Sequence, residues 1–128
     1  MNINILSING NSATNSILKT VISNKYEVIT VTTVFAGIRA IKNYKKIDVI
    51  LIDIDHQTEQ CFQFIEYLRS TWLYQCRIIA LASLQNKNLA DKLIQADVYN
   101  LYIKPFNPQV LAKKIDEFIL SDVQALYN

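Results

Sequence analysis

Two alternating hydrophobic rhythms constrain this chain more than any other feature. Short stretches rich in β-branched and apolar residues, at 3–8, 26–31, 47–53, 78–82 and 99–103, each read as a strand. Between them the apolar residues recur every three or four positions, as the inner stripe of a helix does. After the first strand these are Ile17, Leu18, Val21 and Ile22, with Ser12 placed as N-cap; after the second they are Val34, Ile38, Ile41 and Tyr44. Phe62, Ile65 and Leu68 follow the third strand, with Thr58 placed to cap. Leu89, Leu93 and Ile94 follow the fourth, and Leu111, Ile115 and Phe118 the fifth. Asn107-Pro108 opens the last helix, with Asn as cap and Pro in the first turn, where its missing N–H costs nothing.

Strands and helices in strict alternation predict an α/β fold, a parallel sheet with helices on both faces, since each step to the next strand is a right-handed crossover. The stretches DVILID (48–53) and RIIALA (77–82) are nearly continuous apolar runs. Strands covered on both faces need that composition, so these two belong in the middle of the sheet. At this length the natural solution is the flavodoxin-like, doubly wound sheet of five parallel strands in the order 2-1-3-4-5 with five helices. A 51% hydrophobic content over 128 residues suffices for one core, and a single domain over 1–128 is expected. With two glycines, two prolines and no internal repeat, collagen-like, linker-like and low-complexity readings fall away.

The first ten residues carry no cationic stretch before an apolar run, so no secretory leader is read. No apolar segment approaches the roughly 20 residues of a membrane span. A cytoplasmic protein is expected. Cys61 and Cys76 are too distant for a CxxC clip, and one histidine cannot complete a zinc set, which leaves two buried, reduced thiols. The 13 basic and 11 acidic residues give a net charge of +2 spread along the chain, with Lys25, Lys42 and Lys45-Lys46 reading as solvated ends and loops. That balance does not point to nucleic acid.

In sheets of this kind a ligand site lies beyond the carboxyl ends of the strands, at the switch point beside strands one and three. Those ends carry Asn9-Gly10-Asn11, Asp53-Ile54-Asp55-His56, Ala82-Ser83 and Lys104-Pro105-Phe106. With these residues DVILIDI (48–54), RIIALAS (77–83) and YIKPFNPQVL (102–111) resemble the third strand, fourth strand and fifth strand to last helix of response regulator receiver domains. The resemblance spans essentially the whole chain. It implies two-component phosphorelay signalling, with Asp53 accepting a phosphoryl group from a histidine kinase and Lys104 contacting it. The chemistry explains the pair: a carboxylate oxygen attacks in line, and the charge developing on the equatorial oxygens needs a cation in place.

The chain departs from the family pattern at three places. Receivers carry an acidic pair after the first strand, which with the phosphoacceptor holds a divalent ion; here Asn9 and Gly10 stand there. Mg²⁺ wants oxygen ligands and negative charge, so its site is expected to be weakened, with Asp53, Asp55 and Asn9 as the remaining ligands. Asp55 could restore charge, although a solvent-facing loop acid is the commoner outcome, and His56 reads as a loop residue. The hydroxyl that closes the fourth strand in receivers, and bonds the phosphoryl group, is matched by Ala82, with Ser83 one residue later. Ser83 would substitute only if the strand end bulges. At the usual aromatic switch position stands Leu101, flanked by Tyr99 and Tyr102, and Tyr102 is expected to serve core or partner contact. The resemblance also implies a cis Lys104-Pro105 bond.

Two mechanisms stay open. One is a phosphorylatable receiver; the other is a degenerate receiver that binds a protein partner without phosphorylation. Neither is an enzyme. The family's partner face, on helix four, strand five and helix five, would display Lys87, Asp91, Lys92, Tyr102, Lys113 and Lys114, toward another signalling protein or a second copy. An unrelated nucleotide or flavin binder is disfavoured by the absence of a GxGxxG turn. Residues 121–128 leave no room for an output segment, so the chain is expected to act alone or as a piece of a longer protein.

Overall fold

In the computed structural model the described residues are 3–23, 25–43, 46–71, 76–83, 87–96, 98 and 100–127. Along them run β1 (Asn4–Ile8), α1 (Ser12–Ile22), β2 (Glu27–Val31), α2 (Val34–Asn43), β3 (Val49–Asp53), α3 (Thr58–Ser70), β4 (Arg77–Ala82), α4 (Lys87–Gln95), β5 (Asn100–Ile103) and α5 (Pro108–Tyr127). The strands hydrogen-bond in the order β2-β1-β3-β4-β5, and every pairing is parallel. This is the doubly wound sheet that the alternating rhythms predict. Strand ends differ from the sequence reading by a residue or two, because apolar residues flanking a strand pack on the core without joining the ladder. Tyr44 and Tyr99, assigned above to a helix stripe and a strand, lie outside the described residues.

Period two along each strand divides the core into two layers. Leu6, Ile8, Ile50, Ile52, Ile78 and Ala80 meet α2, α3 and α4 through Ile41, Phe64, Ile65, Leu68, Leu89 and Leu93. Ile5, Val28, Val49, Leu51, Ile79 and Leu81 meet α1 and α5 through Leu18, Ile22, Leu111 and Ile115. All five residues of β3 are buried, as the continuous apolar run requires of the central strand. Gly37 is what brings α2 so close: a Cβ there would lie 2.6 Å from Ile8 Cδ1, so the helix rests directly on β1.

Four local expectations are corrected. The N-cap of α1 is Asn11, whose side chain accepts from the Thr14 N–H at 3.1 Å, and Ser12 is the first helical residue. Before α3 stands Gln57 in the left-handed region, and Thr58 Oγ1 donates to the Ile54 carbonyl at 2.6 Å instead of capping. Ile94 and Ile17, assigned to inner stripes, are 76% and 52% exposed; the stripe in each helix is narrower than a three-or-four spacing alone implies. Asn107 caps α5 as expected, accepting from the Gln109 N–H at 2.9 Å.

Cys61 and Cys76 are free and buried. Burial, with the charge of Asp53 added, pushes the Cys61 thiol up to about 12, and burial raises Cys76 as well. The thiolate is the reactive form. A maleimide at neutral pH should therefore leave both thiols unlabelled in the folded protein and label both once it is denatured. Mass spectrometry of the labelled chain checks this, and fast native labelling of Cys61 would contradict the packing of α3. No helix among the described residues is long and apolar enough to cross a membrane.

Candidate functional site

Side-chain alternation decides which face of the sheet each terminal residue serves. Val49, Leu51 and Asp53 share the α1/α5 face, as do Leu81 in β4 and Tyr102 in β5. Two residues beyond Tyr102, Lys104 falls on the same face. The β3–β4–β5 register places Asp53 beside Leu81 and Leu81 beside Tyr102. Hence the acid ending β3 and the lysine following β5 converge across β4, and Lys104 Nζ makes an ion pair with Asp53 Oδ2. The lysine continues into Pro105 through a cis peptide bond, as the resemblance implies.

Asp53 is 3% exposed, and its Oδ1 accepts the Asp55 N–H at 2.9 Å. That bond folds the start of the β3–α3 loop back over the cleft. Asp55 is an exposed loop residue, as expected, and its carboxylate nonetheless turns to the lysine. Asp55 Oδ2 accepts from Lys104 Nζ at 2.9 Å and from the Ser83 N–H at 3.0 Å, while Ser83 Oγ donates to Oδ1 at 3.3 Å. Burial alone would raise the Asp55 carboxyl, but the hydrogen bonds from Lys104 and Ser83 outweigh it and hold the carboxyl below its usual range. For Lys104 the balance is the mirror image: burial lowers the ammonium, while Asp53 and Asp55 outweigh that and hold it above its usual value.

Ser83 reaches this cluster without any bulge, since the β4–β5 register runs unbroken through Ala82 opposite Ile103. Just past the strand end the Ser83 N–H and hydroxyl both turn to Asp55. Ala82 brings no side chain to the cleft. Its methyl lies in the α2–α4 layer, and its carbonyl accepts the Lys104 N–H at 2.8 Å.

Asn9 is buried where β1 ends beside β3, with Oδ1 taken by the Asn11 N–H at 2.9 Å and Nδ2 without a partner. Gly10 lies under His56: a Cβ there would be 2.8 Å from His56 Cγ and 2.9 Å from Cδ2. Among the described residues no group of three or more His, Cys, Asp or Glu is placed to hold a metal ion.

Two residues that the sequence reading passed over shape the site. Asn15 is buried in α1, donating to the Val31 carbonyl at 2.9 Å and the Asn9 carbonyl at 3.2 Å, and accepting from Ser7 Oγ at 2.7 Å. It ties the ends of β1 and β2 to the helix. Gln57 Oε1 accepts the first N–H of α2, from Val34, at 3.2 Å. A polar residue four positions into a helix, or one in a loop, carries no pattern that announces such a bond; only the neighbour reveals it.

The sequence model described as the response regulator receiver domain matches residues 5–116. The chain belongs to that family. No curated protein matches the sequence. Among solved structures, a receiver domain protein of the chemotaxis type from Methanospirillum hungatei superposes with a TM-score of 0.85 at 20% identity, over 98% of this chain and 99% of that one. A response regulator from Thermotoga maritima gives 0.80 at 17% identity, over 93% and 98%. An orphan response regulator of H. pylori gives 0.78 at 9% identity, over 90% and 94%. At such identities the likeness speaks for the fold, and this receiver's site stands on its own residues.

The expected partner face is assembled only in part. Asp91 is exposed on α4, and Lys113 and Lys114 on α5, the latter paired with Glu117 at 3.2 Å. Tyr102 packs partly into the α1/α5 layer. Lys92 lines the groove between α3 and α4 with Glu59, Glu66 and Arg69. The side chain of Lys87 lies outside the described residues.

Proposed function

We propose that this receiver signals by protein–protein contact without phosphoryl transfer to Asp53. One observation carries the reading: Lys104 is already shared by Asp53 and Asp55, while Asn9 and Gly10 add no carboxylate to hold a divalent ion. A phosphoryl group on Asp53 would compete with Asp55 for its cation and stand beside a like charge. At about 4 Å each like-charge pair costs about 4 kcal/mol near a protein surface, a heavy penalty with no metal charge to offset it. Mg²⁺ does not fit the donors present: the Asn9 oxygen is engaged, position 10 offers nothing, and both remaining carboxylates are held by an ammonium.

On this reading the chain is a cytoplasmic binding module and not an enzyme. Its partner is a signalling protein or a second copy, met through Asp91, Tyr102, Lys113 and Lys114 on α4, β5 and α5. The rival reading, a phosphoacceptor served by a histidine kinase, is favoured by the Asp53–Lys104 contact. Incubation with a small phosphodonor and Mg²⁺, read by intact mass with Asp53→Asn as control, separates the two. No mass change is expected; one phosphoryl group gained by the wild type and not by the variant would overturn the proposal.

A further inference from the structure

Backbone conformation does not demand a glycine at position 10, because no glycine among the described residues has a positive φ. What excludes a side chain there is His56, whose Cγ, Cδ2 and Cβ would lie 2.8, 2.9 and 3.1 Å from an added Cβ. The His56 Cβ is set by the backbone and stays close in any rotamer, while Cγ and Cδ2 leave only if His56 changes χ1, so a side chain at position 10 and the observed imidazole cannot share the space. That backbone is firmly held. The His56 carbonyl accepts the Cys61 thiol at 3.3 Å, and the next residue, Gln57, stands at φ 53°, ψ 48° with its carbonyl accepting the Cys61 N–H at 2.8 Å and its side chain bonded to α2. A non-glycine residue persists in that region only where its surroundings over-determine it. On the other side of the same loop, Asp55 gathers the donors of Ser83 and Lys104.

We propose that residues 55–57 form a built-in plug, in which His56 takes the volume of a side chain at position 10 and Asp55 takes the donors of Ser83 and Lys104. The plug closes the cleft to a divalent cation and ties the ends of β4 and β5 together with no added group. This deepens, and rests on, the reading that the domain works without phosphoryl transfer.

Mn²⁺ alone is the probe, titrated by calorimetry into four proteins: wild type, Asn9→Asp/Gly10→Asp, that pair with His56→Ala, and the triple variant with Asp55→Asn. Restoring the two acids should not by itself restore binding. Removing His56 should tighten it by at least about tenfold, the scale on which affinity follows ligand charge and supporting contacts. Releasing Lys104 from Asp55 should not reverse that gain. If the two-acid variant binds Mn²⁺ as tightly as the variant lacking His56, the plug is wrong.

Two measurements stand should the multiple variants fail to fold. Gly10→Ala should lower the urea midpoint in the wild type and lower it less in a His56→Ala background, where only the Cβ remains; equal losses in both would overturn the His56 contact. Asp55→Asn should speed hydrogen exchange at the Ser83 amide, and unchanged protection would overturn the tie between β4 and β5. None of these experiments involves a phosphodonor. Phosphorylation of the wild type would therefore sink the functional reading while the plug is judged separately.

Discussion

Replacing Leu51 with alanine is expected to destabilise the domain by about 3–5 kcal/mol. Leu51 sits in the centre of β3, is 0% exposed, and packs against the α1 and α5 side chains in the layer under the sheet. Truncation removes buried methyl groups and leaves a cavity that cannot collapse, because β1 and β4 hold the strand in register on both sides. A domain of this size has only about 5–15 kcal/mol of net stability, so the loss is a large share of the whole. The thermal midpoint should fall by roughly 10–20 °C. Ile94→Ala is the control: that side chain is 76% exposed, and its change should stay within about 0.5 kcal/mol. Parallel urea titrations read both, and a Leu51→Ala loss as small as the control's would refute the central place of β3.

Lys104→Met should have the second largest effect, a loss of roughly 1–3 kcal/mol. That lies below the 3–5 kcal/mol typical of a broken, fully buried pair because the lysine is partly open to solvent. The loss comes from the partners left behind. Asp53 is buried and Asp55 partly covered, and without the ammonium two neighbouring carboxylates keep only the neutral donors of Ser83 and the Asp55 N–H against their charge. Adding Asp53→Asn should recover most of the stability, which a loss caused by lysine packing alone would not allow. The pH dependence has a definite sign. Asp55 is held below its ordinary 3.8 in the folded protein, so its contribution is present above about pH 4 and fades as the pH falls through the folded value. The difference between wild type and Lys104→Met should thus be full at neutral pH and close on acidification. A difference that stays constant down to pH ~3 would mean the pair contributes nothing electrostatic.

The sheet order and its helix-covered faces were legible beforehand because each depends on periodicity within one strand or helix, whereas the Asp53–Lys104 pairing was implied by the resemblance carried by DVILIDI and YIKPFNPQVL. The departures were half legible. Asn9 and Gly10 stood out against the acidic pair of receiver domains, but nothing in the sequence said that His56 lies over Gly10. Alternation left two outcomes open for Asp55, a solvent-facing loop acid or a side chain pointing with Asp53, and only the tertiary structure shows an exposed residue whose carboxylate shares Lys104 with Asp53. Nor did the sequence announce Gln57, which takes a left-handed conformation while its side chain accepts from the first N–H of α2.

Hydrophobic rhythm, read from the chain by itself, was enough to predict the parallel sheet, its strand order and the strand ends where a site would lie. The meeting of an acid and a lysine at that edge was implied by the resemblance to receiver domains. Burial of apolar residues at fixed periods is a local property, and it leaves few topologies open. Only the tertiary structure decided what fills that edge. Which donors a loop carboxylate captures, and whether a histidine covers a glycine, depends on segments brought together by the sheet, and no spacing along the chain encodes those distances.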